Sequence, residues 1–93
     1  MRIISQNGIT DIPYDLYGVR QLKSDLSKII AFTNGDEFLI MAEYSTETKA
    51  QKAMEMLREK YKDYAKATNR SNFFTMFDYP KVFQFPQDED VEV

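Results

Sequence analysis

The sequence predicts an α+β fold, in which an antiparallel sheet of about four or five strands packs against one long helix. Two Asn-Gly pairs, Asn7-Gly8 and Asn34-Gly35, each separate two apolar segments, and this dipeptide is the strongest short signal for a hairpin turn. A segment with helical periodicity follows the second hairpin, and a short apolar segment comes last. The predicted order is therefore β-β-β-β-α-β.

The first hairpin is predicted to join Met1–Gln6 and Ile9–Tyr14 through a two-residue type I′ turn at Asn7-Gly8. Pro13 cannot donate a hydrogen bond within a sheet, so the second strand lies at an edge or stops there. Leu16–Lys23 is a further, weaker strand candidate. The hairpins supply most of the predicted sheet.

The second hairpin joins Leu26–Thr33 to Glu37–Tyr44 around Asn34-Gly35. Strand alternation places Leu39 and Met41 on one face of its second strand, and the other face is also apolar. A strand that is apolar on both faces is either covered on both or available to a partner. The residues of that second face are Phe38, Ile40, Ala42 and Tyr44.

The helix is predicted over Thr46–Thr68, with Ser45 as its N-cap. Its apolar residues recur at helical spacing and define one face, while charged residues occupy the opposite face. Pro80 and Pro86 then bracket a last strand at 81–85, in which Phe83 and Phe85 share a face. The apolar helix residues are Ala50, Ala53, Met54, Leu57, Tyr61 and Tyr64.

The 93 residues allow one domain, which we place at 1–86, followed by an acidic, mobile tail at 87–93. No apolar run approaches the roughly 20 residues of a membrane helix, and the first residues lack the apolar stretch of a signal peptide. We therefore expect a cytoplasmic protein without membrane contact.

The composition argues against most catalytic sites, because the chain has no His and no Cys. These absences exclude a Ser–His relay, a thiolate nucleophile and a Cys/His zinc site. Gly8, Gly18 and Gly35 are isolated, so no phosphate-binding loop is present. The carboxylates near Pro13 and in the second hairpin are typical turn residues. We predict no enzyme, no catalytic residue, no metal site and no cofactor.

Charge is unevenly distributed along the chain. Residues 46–70 have a net charge of +3 and residues 71–93 a net charge of −4, although the whole chain carries only −3. The helix lysines alternate with acidic residues, which favours a solvated surface over a nucleic-acid site. The candidate electrostatic surface consists of Lys52, Lys62, Lys66, Asp88, Glu89 and Asp90.

Aromatic residues are concentrated between the helix and the last strand. Such residues serve both as core and as interface anchors. Combined with the strand that is apolar on both faces, they indicate a homodimer or a partner interface. The candidate interface residues are Leu39, Met41, Phe73, Phe74, Phe77 and Tyr79.

Three segments of the chain, at its start, middle and end, are Met1–Gly8, Ala42–Glu47 running into Lys52–Leu57, and Phe83–Pro86. Together they resemble a group of small proteins carried by phages, prophages and other mobile elements of Gram-positive gut bacteria. Because the group has no established activity, the resemblance implies only a bacterial host cytoplasm and an accessory role. No site residue follows from it.

The leading hypothesis is a non-enzymatic interaction module that binds a protein partner or itself. A nucleic-acid-directed accessory, acting through the basic helix or the acidic tail, is one alternative. A small-molecule binder with an aromatic pocket is another.

Overall fold

A computed structural model describes residues 1–35, 37–70 and 82–93, with side chains described for all of these except 64–70. Within this part of the chain, six strands form two sheets and accompany one long helix, so the predicted α+β class is confirmed. The single predicted sheet is wrong, because the strands divide into two groups of three. The elements are β1 (Arg2–Ile4), β2 (Asp11–Pro13), β3 (Gly18–Leu22), β4 (Asp25–Phe32), β5 (Phe38–Glu43), α1 (Glu47–Arg70) and β6 (Val82–Gln84).

The first sheet has the order β2-β1-β6. Its central residue, Ile3, is fully buried and lies opposite Ile12 of antiparallel β2 and Phe83 of β6. The β1–β6 pair is parallel, contrary to the all-antiparallel expectation. Parallel pairing needs a long connection, and here that connection contains the second sheet and α1. Phe83 and Phe85 share the buried face as predicted, with an edge-to-face ring contact at 5.2 Å.

The turn of the first hairpin is wider than predicted, because β1 ends at Ile4 and β2 begins at Asp11. Gly8 has φ +78°, but Asn7 does not adopt the positive φ that a type I′ turn requires. Instead, Asn7 Oδ1 accepts hydrogen bonds from the Ser5 hydroxyl at 2.6 Å and the Ile9 N–H at 3.0 Å. These local bonds compete with the tighter turn and stabilise the longer loop.

The second sheet is an antiparallel meander of order β3-β4-β5, and α1 packs on β4. Ile29 and Ala31 of β4 are fully buried and belong to the same core cluster as Ala53 and Leu57 of α1. The helix begins one residue later than predicted, since the Lys49 N–H donates to Thr46 Oγ1 at 3.1 Å. Thr46 is therefore the N-cap.

A β-bulge in β5 overturns the predicted faces of that strand. Ile29 lies opposite Ala42 and Ile30 lies opposite Ile40, so Met41 is an extra residue without a partner on β4. An inserted residue changes the alternation of side chains on its strand. As a result, the consecutive residues Met41 and Ala42 are both buried. The predicted placement of Met41 at an interface is therefore wrong.

The acidic segment 87–93 is packed on the domain, which corrects the expectation that it forms a separate mobile tail. A 3₁₀ turn spans Asp88–Asp90, and the following Val91 is buried in the core. Asp88 Oδ1 accepts a hydrogen bond from the Ser45 N–H at 2.7 Å, next to the start of α1. Lys49 Nζ lies 3.2 Å from Asp88 Oδ2. Negative charge near the N-terminus of a helix is favourable, so Asp88 stabilises the start of α1.

Candidate interaction surface

The outer edge of β5 is divided into a covered part and an open part. Gln6 covers the later residues: its N–H donates to the Met41 carbonyl at 2.7 Å, and the Glu43 N–H donates to Gln6 Oε1 at 3.1 Å. Across the residues that the structure describes, Phe38–Ile40 pair with β4 but have no partner strand on their outer side. We call Phe38–Ile40 the open edge.

Gln6 is the point at which the two sheets and the acidic segment meet. Its Nε2 donates to the Pro86 carbonyl at 3.2 Å, and Gln87 Nε2 donates to the Gln6 carbonyl at 2.7 Å. Tyr44 also donates its hydroxyl hydrogen to the Pro86 carbonyl, at 2.8 Å. Burial, with a smaller effect of the Asp88 charge, raises the Tyr44 pKa, so its hydroxyl stays a donor. Gln6 thereby fixes where the open edge stops.

The open edge consists of three consecutive large apolar side chains. Phe38, Leu39 and Ile40 expose 47%, 40% and 41% of their surface. Unprotected edges of this kind are templates for pairing with another chain, and proteins usually protect them with charge or irregular geometry. The opposite edge of the same sheet has that protection, since β3 carries the exposed Arg20 and an irregular register after Gln21.

The residues beside the open edge on the outer face of the second sheet are also apolar. Because Ile29 and Ala31 point to the helix, Ile30 and Phe32 point to the opposite face. Their partners on β5 are Ile40 and Phe38 respectively, so these four residues share the outer face. Ile30 is buried, whereas Phe38 and Ile40 are exposed. The face is thus apolar from β4 to the open edge.

Phe32 and Arg20 stack on each other at the β3 side of this face. Gly18 lies opposite Phe32, and a Cβ placed on Gly18 would clash with the Phe32 ring. The ring therefore lies across the glycine. The Arg20 guanidinium is 5.1 Å from the Phe32 ring centroid, a cation–π distance. This stack gives the apolar face a polar border on the β3 side.

The predicted interface residues have different outcomes. Leu39 lies on the open edge and is exposed, whereas Met41 is in the core. Phe73, Phe74, Phe77 and Tyr79 lie outside the described residues. Gln6, Arg20 and Phe32 also belong to the surface and were not predicted from the sequence. The hairpin signal at Asn7-Gly8 is local and could not indicate a role for Gln6. The contacts of Gln6 to β5 and to Pro86 connect distant parts of the chain.

The predicted electrostatic residues that the structure describes lie on α1 and in the acidic segment. Lys52 and Lys62 are exposed on α1. Lys52 Nζ lies 3.9 Å from a Glu55 carboxylate oxygen, and Lys62 Nζ lies 3.8 Å from a Glu59 carboxylate oxygen. Asp88 is partly buried, and its backbone hydrogen bond from Ser45 lowers its pKa. Glu89 and Asp90 remain exposed, and the Lys66 side chain is not among those described.

Two open grooves provide space for smaller groups. One, of about 390 Å³, runs along the junction of the sheets beside the open edge and is lined by Gln6, Asn7 and residues 40–43. The other, also about 390 Å³, is lined by three tyrosines together with Asp15, Gly18 and Val19. Tyr14 and Tyr61 make an edge-to-face contact there, with ring centroids 5.0 Å apart, and Tyr17 completes the set.

Acidic side chains of the sheets serve structural contacts. Asp11 accepts a hydrogen bond from Arg2 Nε at 2.8 Å, and Ser27 hydrogen bonds lower the pKa of Asp25. The described part of the chain holds no group of three or more potential metal ligands. Its helix, over the residues described, lacks the apolar length for crossing a membrane.

Comparisons of the chain with protein-family models, curated proteins and solved structures found no match.

Proposed function

We propose that the chain is a non-enzymatic interaction module that binds another polypeptide through the open edge and the adjoining outer face. The observation that carries the proposal is the exposure of Phe38, Leu39 and Ile40 on the unpaired side of an edge strand. An added strand would satisfy the outward backbone groups and cover the three side chains, the binding mode known as β-augmentation.

The setting we propose is that of an accessory protein of a mobile genetic element in the cytoplasm of a bacterial host. The resemblance of the opening, middle and closing segments supports this setting. A polypeptide partner also suits the chemistry of the surface, since its centre is apolar and the Arg20 guanidinium at its border is stacked on Phe32. Interface centres are depleted in charge in the same way.

A photoreactive benzoylphenylalanine placed at position 38 tests the proposal in cells that produce the protein. We expect a covalent adduct with a polypeptide, either a second copy or another protein. Met56, which is 37% exposed on the outer side of α1, is the matched control position. Absence of an adduct from position 38, or the same adducts from both positions, would contradict the proposal.

Small-molecule binding is the second candidate, and the tyrosine groove is the observation that favours it. Tyr14, Tyr17 and Tyr61 present ring surfaces around about 390 Å³ of open space. Amide and ring chemical-shift changes confined to these residues, in a screen of aromatic fragments, would support this function.

A further inference from the structure

We infer that the polypeptide bound at the open edge is a second copy of this chain. The two copies pair antiparallel about a two-fold axis through Leu39, which places Phe38 of each copy opposite Ile40 of the other. The inference rests on the proposed function, because it names the partner for the same surface. The two sheets of order β3-β4-β5 then become one sheet of six strands.

The length of the open edge fits a second copy of β5. On one copy, pairing must stop at Met41, because Gln6 already occupies the edge there. On the other copy, β5 begins at Phe38, so its chain leaves the edge at the residue before. In the register centred on Leu39, that departing residue lies opposite Met41. The point at which Gln6 blocks the edge of one copy thus lies opposite the point at which β5 of the other copy ends.

The side chains are also self-complementary in this register. Phe38 and Ile40 both lie on the outer face, so each copy places an aromatic ring beside a β-branched side chain of the other, twice. Aromatic and β-branched residues form favourable cross-strand pairs. Leu39 meets its own counterpart on the opposite face. An isologous contact of this kind requires the same patch to match itself.

The paired sheets would form a closed dimer and would not continue into a fibre. The apolar outer face becomes continuous across the axis, from Phe32 and Ile30 of one copy to the same residues of the other. Growth beyond this would have to use the β3 edge, where Arg20 is exposed and the register is irregular after Gln21. Charge and irregularity at an edge oppose further pairing.

The contact is short, with three residues from each strand, and it belongs to the small class of interfaces. We therefore expect a dissociation constant in the micromolar range. Sedimentation equilibrium over a concentration series measures it. A chain that stays monomeric at several hundred micromolar (about 100-fold above the expected range) overturns the inference.

Charged substitutions test the register. Phe38→Lys alone and Ile40→Glu alone should each weaken self-association at least about tenfold, because each places two unpaired charges opposite apolar side chains. Mixed together, the two variants form one Lys–Glu pair and keep one native Phe–Ile pair. The mixture should recover at least about tenfold in affinity over either variant alone.

The control mixture is Phe38→Lys with Phe38→Glu, which carries the same charges but does not place them opposite each other in this register. Recovery in the control equal to that in the first mixture would overturn the register. Leu26→Lys controls for charge on the sheet, since Leu26 is as exposed as Ile40 but lies on β4. Circular dichroism of each variant confirms that it is folded before its association is compared.

The outcomes separate the two proposals. A monomeric chain whose position 38 still crosslinks to a different protein overturns the second-copy inference and leaves the interaction function standing. A monomeric chain that gives no adduct overturns both.

Discussion

Single side chains fix the acidic segment to the domain, and Asp88 is the clearest case. Its carboxylate accepts the Ser45 N–H at 2.7 Å and lies 3.2 Å from Lys49 Nζ. These contacts favour the charged form and hold the pKa of Asp88 below its ordinary value, with the Ser45 hydrogen bond as the largest cause. Composition predicted an acidic tail but could not show that one of its carboxylates completes the start of a helix.

Asp88→Asn should therefore lower the stability of the folded state at neutral pH. A depressed pKa contributes stability that is present above the unfolded pKa of about 3.9 and is lost as pH falls through the folded value. The difference between the parent chain and Asp88→Asn in urea unfolding should thus shrink below about pH 4. Glu89→Gln, an exposed neighbour, is the control and should change little. A difference that persists unchanged in acid would contradict a stabilising role for the charged Asp88 carboxylate.

Among the elements, β5 shows which features of a strand its apolar pattern can predict. Its limits and its pairing with β4 follow from the apolar segments around Asn34-Gly35, as does the exposure of Leu39. The bulge at Met41 could not be predicted, because it depends on the partner strand and on Gln6 at the outer edge. The buried face of the helix was easier to predict, since Ala50, Ala53 and Leu57 repeat at helical spacing, and all three are fully buried.

The bulge predicts unequal costs for truncating Met41 and Leu39. Met41→Ala should reduce the free energy of unfolding by about 2–5 kcal/mol, because it leaves a cavity in the core. Leu39→Ala should cost less than about 1 kcal/mol, because the side chain is partly in solvent already. Chemical denaturation of both variants in the monomeric concentration range measures the difference. Equal costs would mean that β5 alternates regularly, as first expected from the sequence.

At the scale of the whole molecule, Gln6 joins three parts that are far apart in the chain. Its backbone and side chain contact β5, and its amide also binds the Pro86 carbonyl. Hairpin signals and helical periodicity predicted the elements because those patterns are local. The division into two sheets and the parallel β1–β6 pair depend on long-range contacts such as these, which no local pattern reports.

Gln6→Ala should lower the free energy of unfolding by about 1–2 kcal/mol, since it removes two side-chain hydrogen bonds. It should also raise hydrogen exchange at Glu43 N–H, which loses its acceptor. Gln84→Ala is the matched control, because that glutamine is exposed and its side chain donates a longer bond, 3.4 Å, to the Ser5 carbonyl. Equal effects of the two substitutions would show that the Gln6 side chain does not stabilise the junction of the sheets.

The parallel pairing of β1 with β6 has a consequence for synthesis on the ribosome. Gln6 and Pro86 are 80 residues apart, so the first sheet lacks its third strand until translation has passed β6. Until then β1 and β2 form only a hairpin, and an isolated two-stranded hairpin is marginal in water. The meander and α1 rely on nearer contacts and are free to form earlier. Ile3 consequently stays without its β6 partner, Phe83, until almost all of the chain has been made.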